Sequence, residues 1–208
     1  MGLWADRVVP RLTDKALGND EIGQFRAVAC SGLHGRVLEI GFGSGLNLPH
    51  YPPEVTSVSA VEPADLGWAL SEKRRGRSSV PVERAGLDGQ RLDAPDASYD
   101  GVLSTFTLCT IPDAVAALAE VRRVLRPGGA FHFLEHGRAP DDNVVAWQRR
   151  LEPVQRRVFA GCHLTRDVPA LVGAAGLDVT MLEQSYLPGP RIGRPWSYGY
   201  LGRAVRPV

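Results

Sequence analysis

The sequence is poor in four things, and each shortage narrows what the chain can be. It has three cysteines, Cys30, Cys109 and Cys162, an odd number with no CxxC pair. Neither a disulfide framework nor a zinc ribbon fits that pattern, and a reducing cytoplasm is the expected setting. It has two lysines, Lys15 and Lys73, against 22 arginines, a skew that genome base composition explains and that carries no functional weight. It has no block of five or more like charges, and 24 Lys plus Arg against 23 Asp plus Glu leave a formal net charge of +1. Long-range steering toward nucleic acid or an anionic membrane is therefore not built in. The densest basic run, Lys73, Arg74, Arg75 and Arg77, reads as a solvated helix end. Finally, no uncharged apolar run approaches the roughly 18 residues of a membrane helix, and Met1 to Pro10 carries Asp6 and Arg7 where a signal peptide needs an apolar core. A soluble cytoplasmic protein is expected, with no nucleic-acid partner and no integral membrane association.

What is present is an alternation of short apolar runs and amphipathic stretches, without internal repeats or a linker, as in one domain spanning 1–208. The pattern predicts a helix over residues 14–30 and then strands at Arg36 to Ile40, Thr56 to Val61, Val80 to Arg84, Tyr99 to Phe106 and Ala130 to Glu135. Further helices are expected at Ala64 to Arg75, 112–125, Asn143 to Phe159 with a kink at Pro153, and Asp167 to Ala175. Leu177 to Glu183 and Ser197 to Leu201 complete a mostly parallel seven-stranded sheet covered on both faces, a doubly wound α/β fold. Pro127-Gly128-Gly129 is expected to turn the chain into the fifth strand. Residues 1–30 would form a helical cap or lid, 36–136 a ligand-binding core and 137–208 the substrate-side helices and final strands.

The turn Glu39-Ile40-Gly41-Phe42-Gly43-Ser44-Gly45 is expected to fall between the first strand and a helix opening just after the glycines with free N–H groups, where open parallel sheets bind nucleotides. Gly41 and Gly43 lack a Cβ, so the backbone turns sharply and can approach a ligand. The pattern departs from the dinucleotide fingerprint G-x-G-x-x-G, because Leu46 holds the third glycine position and an acid, Glu39, precedes the first. A carboxylate there disfavours a pyrophosphate and suits an ammonium group. Glu62 ends the second strand 17 residues after Gly45, where a carboxylate accepts from both ribose hydroxyls. Read singly, Glu39 is equally an ion-paired or capping residue and Glu62 a solvated strand-end acid. Together, around these glycines, they point to a nucleoside joined to an amino acid without phosphates.

Four segments in order, VLEIGFGSG (37–45), VEP (61–63), LDGQRL before PDASYD (87–100) and VRRVLRPGG (121–129), resemble the class I S-adenosylmethionine-dependent methyltransferases. The resemblance implies that S-adenosylmethionine is the cofactor and S-adenosylhomocysteine the product. It implies that Asp88 accepts from the adenine amino group, with Leu87 and Gly89 beside the base, and that Ser104, Thr105 and Phe106 flank the methionine end. Phe42, Asn47 and Pro63 complete the implied cofactor set with Glu39, Gly41, Gly43, Gly45 and Glu62.

Beyond the cofactor motifs, NLPHYP (47–52), STFTLCTI (104–111), GGAFHFLEH (128–136), GCHLTR (161–166) and YGYLGRA (198–204) resemble the alkyl-thiol S-methyltransferase branch, related in turn to quinone-biosynthesis methyltransferases. The long apolar N-terminal helix of the mammalian members is missing, so their membrane association is not carried over. The expected reaction is methyl transfer to a small, rather apolar acceptor such as a thiol. Transfer to a quinone or phenol, to a phospholipid amine, or a catalytically silent cofactor-binding module remain open. An NAD-dependent oxidoreductase is the outside alternative. The Asp/Asn-Pro-Pro-aromatic signature of N-methylation is absent after strand four, where Thr105-Phe106-Thr107-Leu108 stands. His136, ending strand five, is the candidate base or acceptor-orienting group, against a structural hydrogen bond to the next loop. Leu108, Cys162, Trp147 and Tyr198 are candidates for the acceptor pocket, with Cys162 and His163 equally a helix-to-helix turn capped by Thr165. Tyr186 and Trp196 could join that pocket wall. Cys109 and His132 read as core residues, and His34 and His50 lack metal-ligand spacing, so no metal is expected.

Overall fold

The computed structural model describes Trp4 and residues 7–208. Its strands are β1 (Gly35–Ile40), β2 (Val55–Val61), β3 (Val82–Gly86), β4 (Tyr99–Thr105), β5 (Leu125–His136), β6 (Asp178–Tyr186) and β7 (Tyr198–Val205). They form one sheet in the order β3-β2-β1-β4-β5-β7-β6. The first five pair in parallel, and β7 runs antiparallel to both of its neighbours. This is the mostly parallel, doubly wound sheet that the alternating pattern implied.

The helices are α1 (Val9–Leu17), α2 (Asp20–Cys30), α3 (Asp65–Leu70), α4 (Glu72–Arg75), α5 (Ala114–Val124), α6 (Asp142–Val158), α7 (Val168–Ala174) and α8 (Arg194–Ser197). Both faces of the sheet are apolar, because successive strand residues point to opposite sides. On one face Leu38, Ile40, Val102, Phe131 and Phe133 pack with α5 and α7 through Leu118, Val121, Val168 and Val172. On the other, Val37, Leu103, Leu134 and Leu201 pack with Ala29 and Cys30 of α2. Gly202 of β7 lies directly against Phe133, where a Cβ would overlap the ring. Gly202, opposite Phe133 in the ladder, leaves the room its ring occupies. Among the described residues no helix is long and apolar enough to cross a membrane.

Several boundaries differ from the sequence expectation, each for a local reason. The helix expected over 14–30 is two, because Asn19 starts a new one: its Oδ1 accepts from the Ile22 N–H at 3.0 Å. The helix expected over Ala64 to Arg75 breaks at Ser71, whose hydroxyl donates back to the Trp68 carbonyl at 2.6 Å. β3 starts at Val82 rather than Val80, since Pro81 has no N–H to give the ladder. β5 starts at Leu125 and absorbs Pro127 to Gly129 as a register shift opposite Tyr99 and Gly101, with Gly128 at φ +79°.

His132, on β5, is buried. Its Nδ1 meets the Ala29 carbonyl at 2.8 Å, and its Nε2 has no partner among the described residues. Burial holds the imidazole down at about 4, reinforced by the Arg203 charge and opposed by the Ala29 hydrogen bond. The unfolded chain therefore binds a proton that the folded chain refuses, and stability falls as pH drops from about 6.5 toward 4. At pH 4.5 this group costs on the order of 2–3 kcal/mol. Urea unfolding at pH 7 and pH 4.5 is expected to show a smaller acid loss for His132→Gln by about that amount, whereas equal losses would place the acid sensitivity elsewhere.

Candidate functional site

A cleft of about 270 Å³ opens at the carboxyl ends of β1, β2 and β4, the position that a doubly wound sheet leaves free. Its floor is the turn after β1, which leads into a 3-10 turn at Leu48–His50 rather than the expected helix, because Pro49 and Pro52 leave no run of free N–H groups to continue one. Gly41, Gly43 and Gly45 have φ of +73°, +56° and +75°, which a residue with a Cβ adopts only with strain. Gly41 is the most constrained, because a Cβ there would overlap the Thr107 side chain. The Gly41 and Phe42 N–H groups bond back to the Val61 carbonyl at 2.9 and 3.2 Å, and the Phe42 ring packs on Trp68 with centroids 5.6 Å apart.

Glu62 closes the turn from the β2 side. Its two oxygens accept from the Gly43 N–H at 2.6 Å and the Ala64 N–H at 2.8 Å. Burial raises its carboxyl above the ordinary range, against those two hydrogen bonds and the Arg84 charge. Gly67 faces Glu62, and a Cβ there would stand 3.2 Å from its Oε1. Pro63, Leu87, Asp88 and Gly89 line the same side. Asp88 Oδ1 accepts from the Gln90 backbone and side chain at 2.9 and 3.0 Å, and Leu87 is 59% exposed.

At the opposite end Asn47, Thr105, Phe106 and Arg26 meet at the cleft. Arg26 Nη1 donates to Asn47 Oδ1 at 2.7 Å and to Thr105 Oγ1 at 2.9 Å, and its guanidinium lies 5.5 Å from the Phe106 ring centre. Its Nε is buried without a partner among the described residues. Behind this layer lies Glu39, 1% exposed, with Oε1 accepting from Asn47 at 2.7 Å and Oε2 from the Tyr51 hydroxyl at 2.5 Å. Burial pushes its carboxyl up to about 7, opposed by those hydrogen bonds and by Arg26.

The loop after β4 is held from below by Glu135, a residue the sequence reading missed. It is wholly buried. Oε1 accepts from the Ser104 hydroxyl at 2.7 Å and the Leu108 N–H at 3.1 Å, and both oxygens face the Thr107 N–H. The clamp fixes the backbone next to Phe106, which has a φ of +52°. Beneath the loop Cys109, His136 and Cys162 converge. His136 Nε2 lies 3.2 Å and Gln155 Nε2 3.5 Å from Cys162 Sγ, with the Cys109 thiol beside them. These neighbours hold the Cys162 thiol below its ordinary range, against its burial.

Of the residues singled out in the sequence, Gly41, Phe42, Gly43, Asn47, Glu62, Pro63, Leu87, Asp88, Gly89, Thr105 and Phe106 line the cleft, and Gly45 supports its floor. Others are placed differently. Glu39 and Ser104 lie one layer behind, because protein donors take their oxygens. His136 is not on a substrate rim: it is 9% exposed and faces Cys162. Leu108 and Tyr198 belong to the core, and Trp147 stands 54% exposed on α6. None of these four, nor Cys162, lines the cleft. Arg26, Ala160 and the α1 residues Val9, Pro10, Thr13, Asp14 and Leu17 do. Asp14 ties α1 to the glycine turn, accepting from Ser44 Oγ at 2.6 Å and pairing with Arg74 at 2.9 Å. The cap expected over residues 1–30 includes residues 1–3, 5 and 6, which lie outside those described.

Comparison with known proteins places this arrangement. The family described as a methyltransferase domain matches residues 38–133. Thiol S-methyltransferase TMT1B of Rattus norvegicus is 33% identical over 176 residues, covering 82% of this chain and 70% of that one. Thiol S-methyltransferase TMT1A of Homo sapiens is 34% identical over 171 residues, covering 79% and 69%. In fold, the chain matches Haemonchus contortus Phospholethanolamine N-methyltransferase 2 with a TM-score of 0.73 at 16% identity, covering 99% of this chain and 60% of the other. The chain therefore belongs to the S-adenosylmethionine-dependent methyltransferase family that includes the thiol S-methyltransferases.

Proposed function

We propose that this protein transfers the methyl group of S-adenosylmethionine to the sulfur of a small, rather apolar thiol. The observation that carries the reading is the cleft itself, with an acid at one end and a cation at the other. Glu62 lines the cleft beside Gly67, where a ribose would lie, and Asp88, Leu87 and Gly89 lie where the adenine would extend. At the far end Arg26, with its unpartnered Nε, and Asn47 suit the amino-acid end of the cofactor. Thr105 and Phe106 would flank its methionine portion, and α1 would roof it. The relatives' activity on thiols supports the choice of acceptor.

The bound cofactor supplies an electrophilic methyl group on a sulfonium centre. What the chain contributes is alignment: the glycine turn, Glu62 and Arg26 hold the two ends so that the nucleophile approaches opposite the leaving sulfur. No histidine lines the cleft among the described residues. A thiol does not demand one, since with a pKa of about 8.5 a few per cent is thiolate at neutral pH. Its proton is lost to solvent, the new carbon–sulfur bond forms as the sulfonium bond breaks, and a neutral thioether leaves with S-adenosylhomocysteine.

Calorimetric titration with S-adenosylhomocysteine tests the cofactor end. Glu62→Ala is expected to weaken binding at least tenfold, about 1.4 kcal/mol, and a wild-type protein that does not bind would end the reading. For the acceptor, incubation with S-adenosylmethionine and a panel of alkyl thiols is expected to release S-adenosylhomocysteine. Release no faster than without acceptor would remove the thiol.

A further inference from the structure

Two cysteines and a histidine from three distant segments meet in the interior outside the cleft. Cys109 lies in the loop after β4, His136 ends β5 and Cys162 follows α6; all three are buried, and both cysteines are free thiols. Their ligand-capable atoms lie within 4.8 Å of one another. His136 Nε2 is already 3.2 Å from Cys162 Sγ, while its Nδ1 is buried without a partner among the described residues. The cofactor reading uses none of them.

Two thiols and an imidazole form a soft donor set. Zinc–sulfur and zinc–nitrogen bonds of about 2.3 and 2.0–2.1 Å require tetrahedral ligand separations of roughly 3.5–3.8 Å. His136 and Cys162 stand slightly closer than this and all three atoms lie within 4.8 Å, so side-chain adjustments of about 1 Å or less bring them to a common ion. Two thiolates carry two negative charges, which a dication cancels where burial leaves no room for counter-ions. Burial is no obstacle to loading, because an ion taken up during folding is enclosed as the segments close.

We propose that Cys109, His136 and Cys162 form a binding site for a soft divalent cation of the zinc type, with a water molecule in the fourth position. The ion would pin the turn at 160–163 to the loop at 107–112. Both segments reach the cleft, through Ala160 on one side and Thr107, Thr110 and Ile111 on the other. Backbone bonding already brings them together, with the His163 N–H donating to the Cys109 carbonyl at 2.8 Å. The ion would fix this wall of the cleft from behind, without touching the cofactor.

The test is metal content and spectroscopy on the full chain, and neither readout depends on methyl transfer. Protein produced with zinc and desalted is expected to retain about one zinc per chain. Cys30→Ser, which removes the buried cysteine outside the cluster, is expected to keep it. Cys109→Ser and Cys162→Ser are expected to bind zinc at least tenfold more weakly. Replacing zinc with Co2+ in the wild type is expected to produce thiolate-to-cobalt charge-transfer absorption, a readout that stands even if a serine variant fails to fold. Wild-type protein that takes up neither ion, zinc held equally well by Cys162→Ser, or a Cys109–Cys162 disulfide in the isolated protein would each overturn the site.

Discussion

Replacing Gly41 by alanine is expected to abolish measurable S-adenosylhomocysteine binding, a loss of at least a hundredfold. Two costs combine. At φ +73° a residue with a Cβ pays about 1–2 kcal/mol for the left-handed conformation. The Cβ also overlaps the Thr107 side chain, which has little freedom to withdraw. Its hydroxyl donates to the Thr105 carbonyl at 3.0 Å, and its N–H is held by both oxygens of Glu135. Relief must come from the glycine turn itself, and moving the turn separates Gly43 from Glu62. Gly43→Ala is the comparison, because a Cβ there meets nothing closer than the Gly41 carbonyl at 3.9 Å, leaving chiefly the backbone cost. The double variant Gly41→Ala, Thr107→Gly should recover part of the binding. If Gly41→Ala binds within threefold of wild type, the turn is pliable and the account of a rigid floor fails.

Truncating Glu135 to alanine is expected to lower stability by about 3–5 kcal/mol, since three buried donors lose their acceptor and a cavity replaces the carboxylate. For a chain of this length that corresponds to a fall in Tm of roughly 10 °C. The donors are the Ser104 hydroxyl and the Thr107 and Leu108 N–H groups. Glu135→Gln keeps one acceptor oxygen but turns an amide toward N–H groups, so an intermediate loss is expected. Denaturant unfolding gives the stability, and methyl transfer measured well below the melting range gives the functional share. The loop that Glu135 holds carries Thr105 to Thr107 at the cleft, so turnover of the folded variant is expected to fall as well. A change below 1 kcal/mol would mean that water replaces the carboxylate, and the clamp would lose its importance.

These two residues mark the boundary of what could be read from the sequence. Gly41 and Glu62 were legible because the turn after β1 and the end of β2 are local patterns: a strand, a break, and an acid at a fixed distance. The sheet was legible for the same reason, since apolar runs such as RVLEI and AFHFLE carry their own period. Glu135 was hidden by its neighbour. As the penultimate residue of an apolar strand it resembled a strand-end acid, and only the closeness of β4 and β5 turns it onto Ser104 and Thr107. Arg26, Tyr51 and the trio of Cys109, His136 and Cys162 were unreadable because their partners come from distant segments. Trp147 and Tyr198 failed as pocket candidates because aromatic spacing says nothing about which side of an element meets the cleft. Glu39 was recognised as part of the motif, but Asn47 and Tyr51 take its oxygens, and Asn47 rather than Glu39 lines the cleft.

The place of β7 has a consequence for how the protein is made. It lies between β5 and β6, yet the ribosome finishes it after both. The sheet can grow outward from β1 to β3 on one side and through β4 to β5 on the other as the chain emerges, and there it must wait. Until residues 198–205 are available, β6 has no neighbour in the sheet, and the outer edge of β5 keeps its N–H and carbonyl groups unpaired from Ala130 to His136. That edge borders Phe131 and Phe133, and an open, apolar strand edge is a template for a second copy of itself. The vulnerable interval in the life of this molecule is thus the pause between residues 136 and 205, when slow translation or a scarce chaperone would favour aggregation of a chain whose first five strands are already in place.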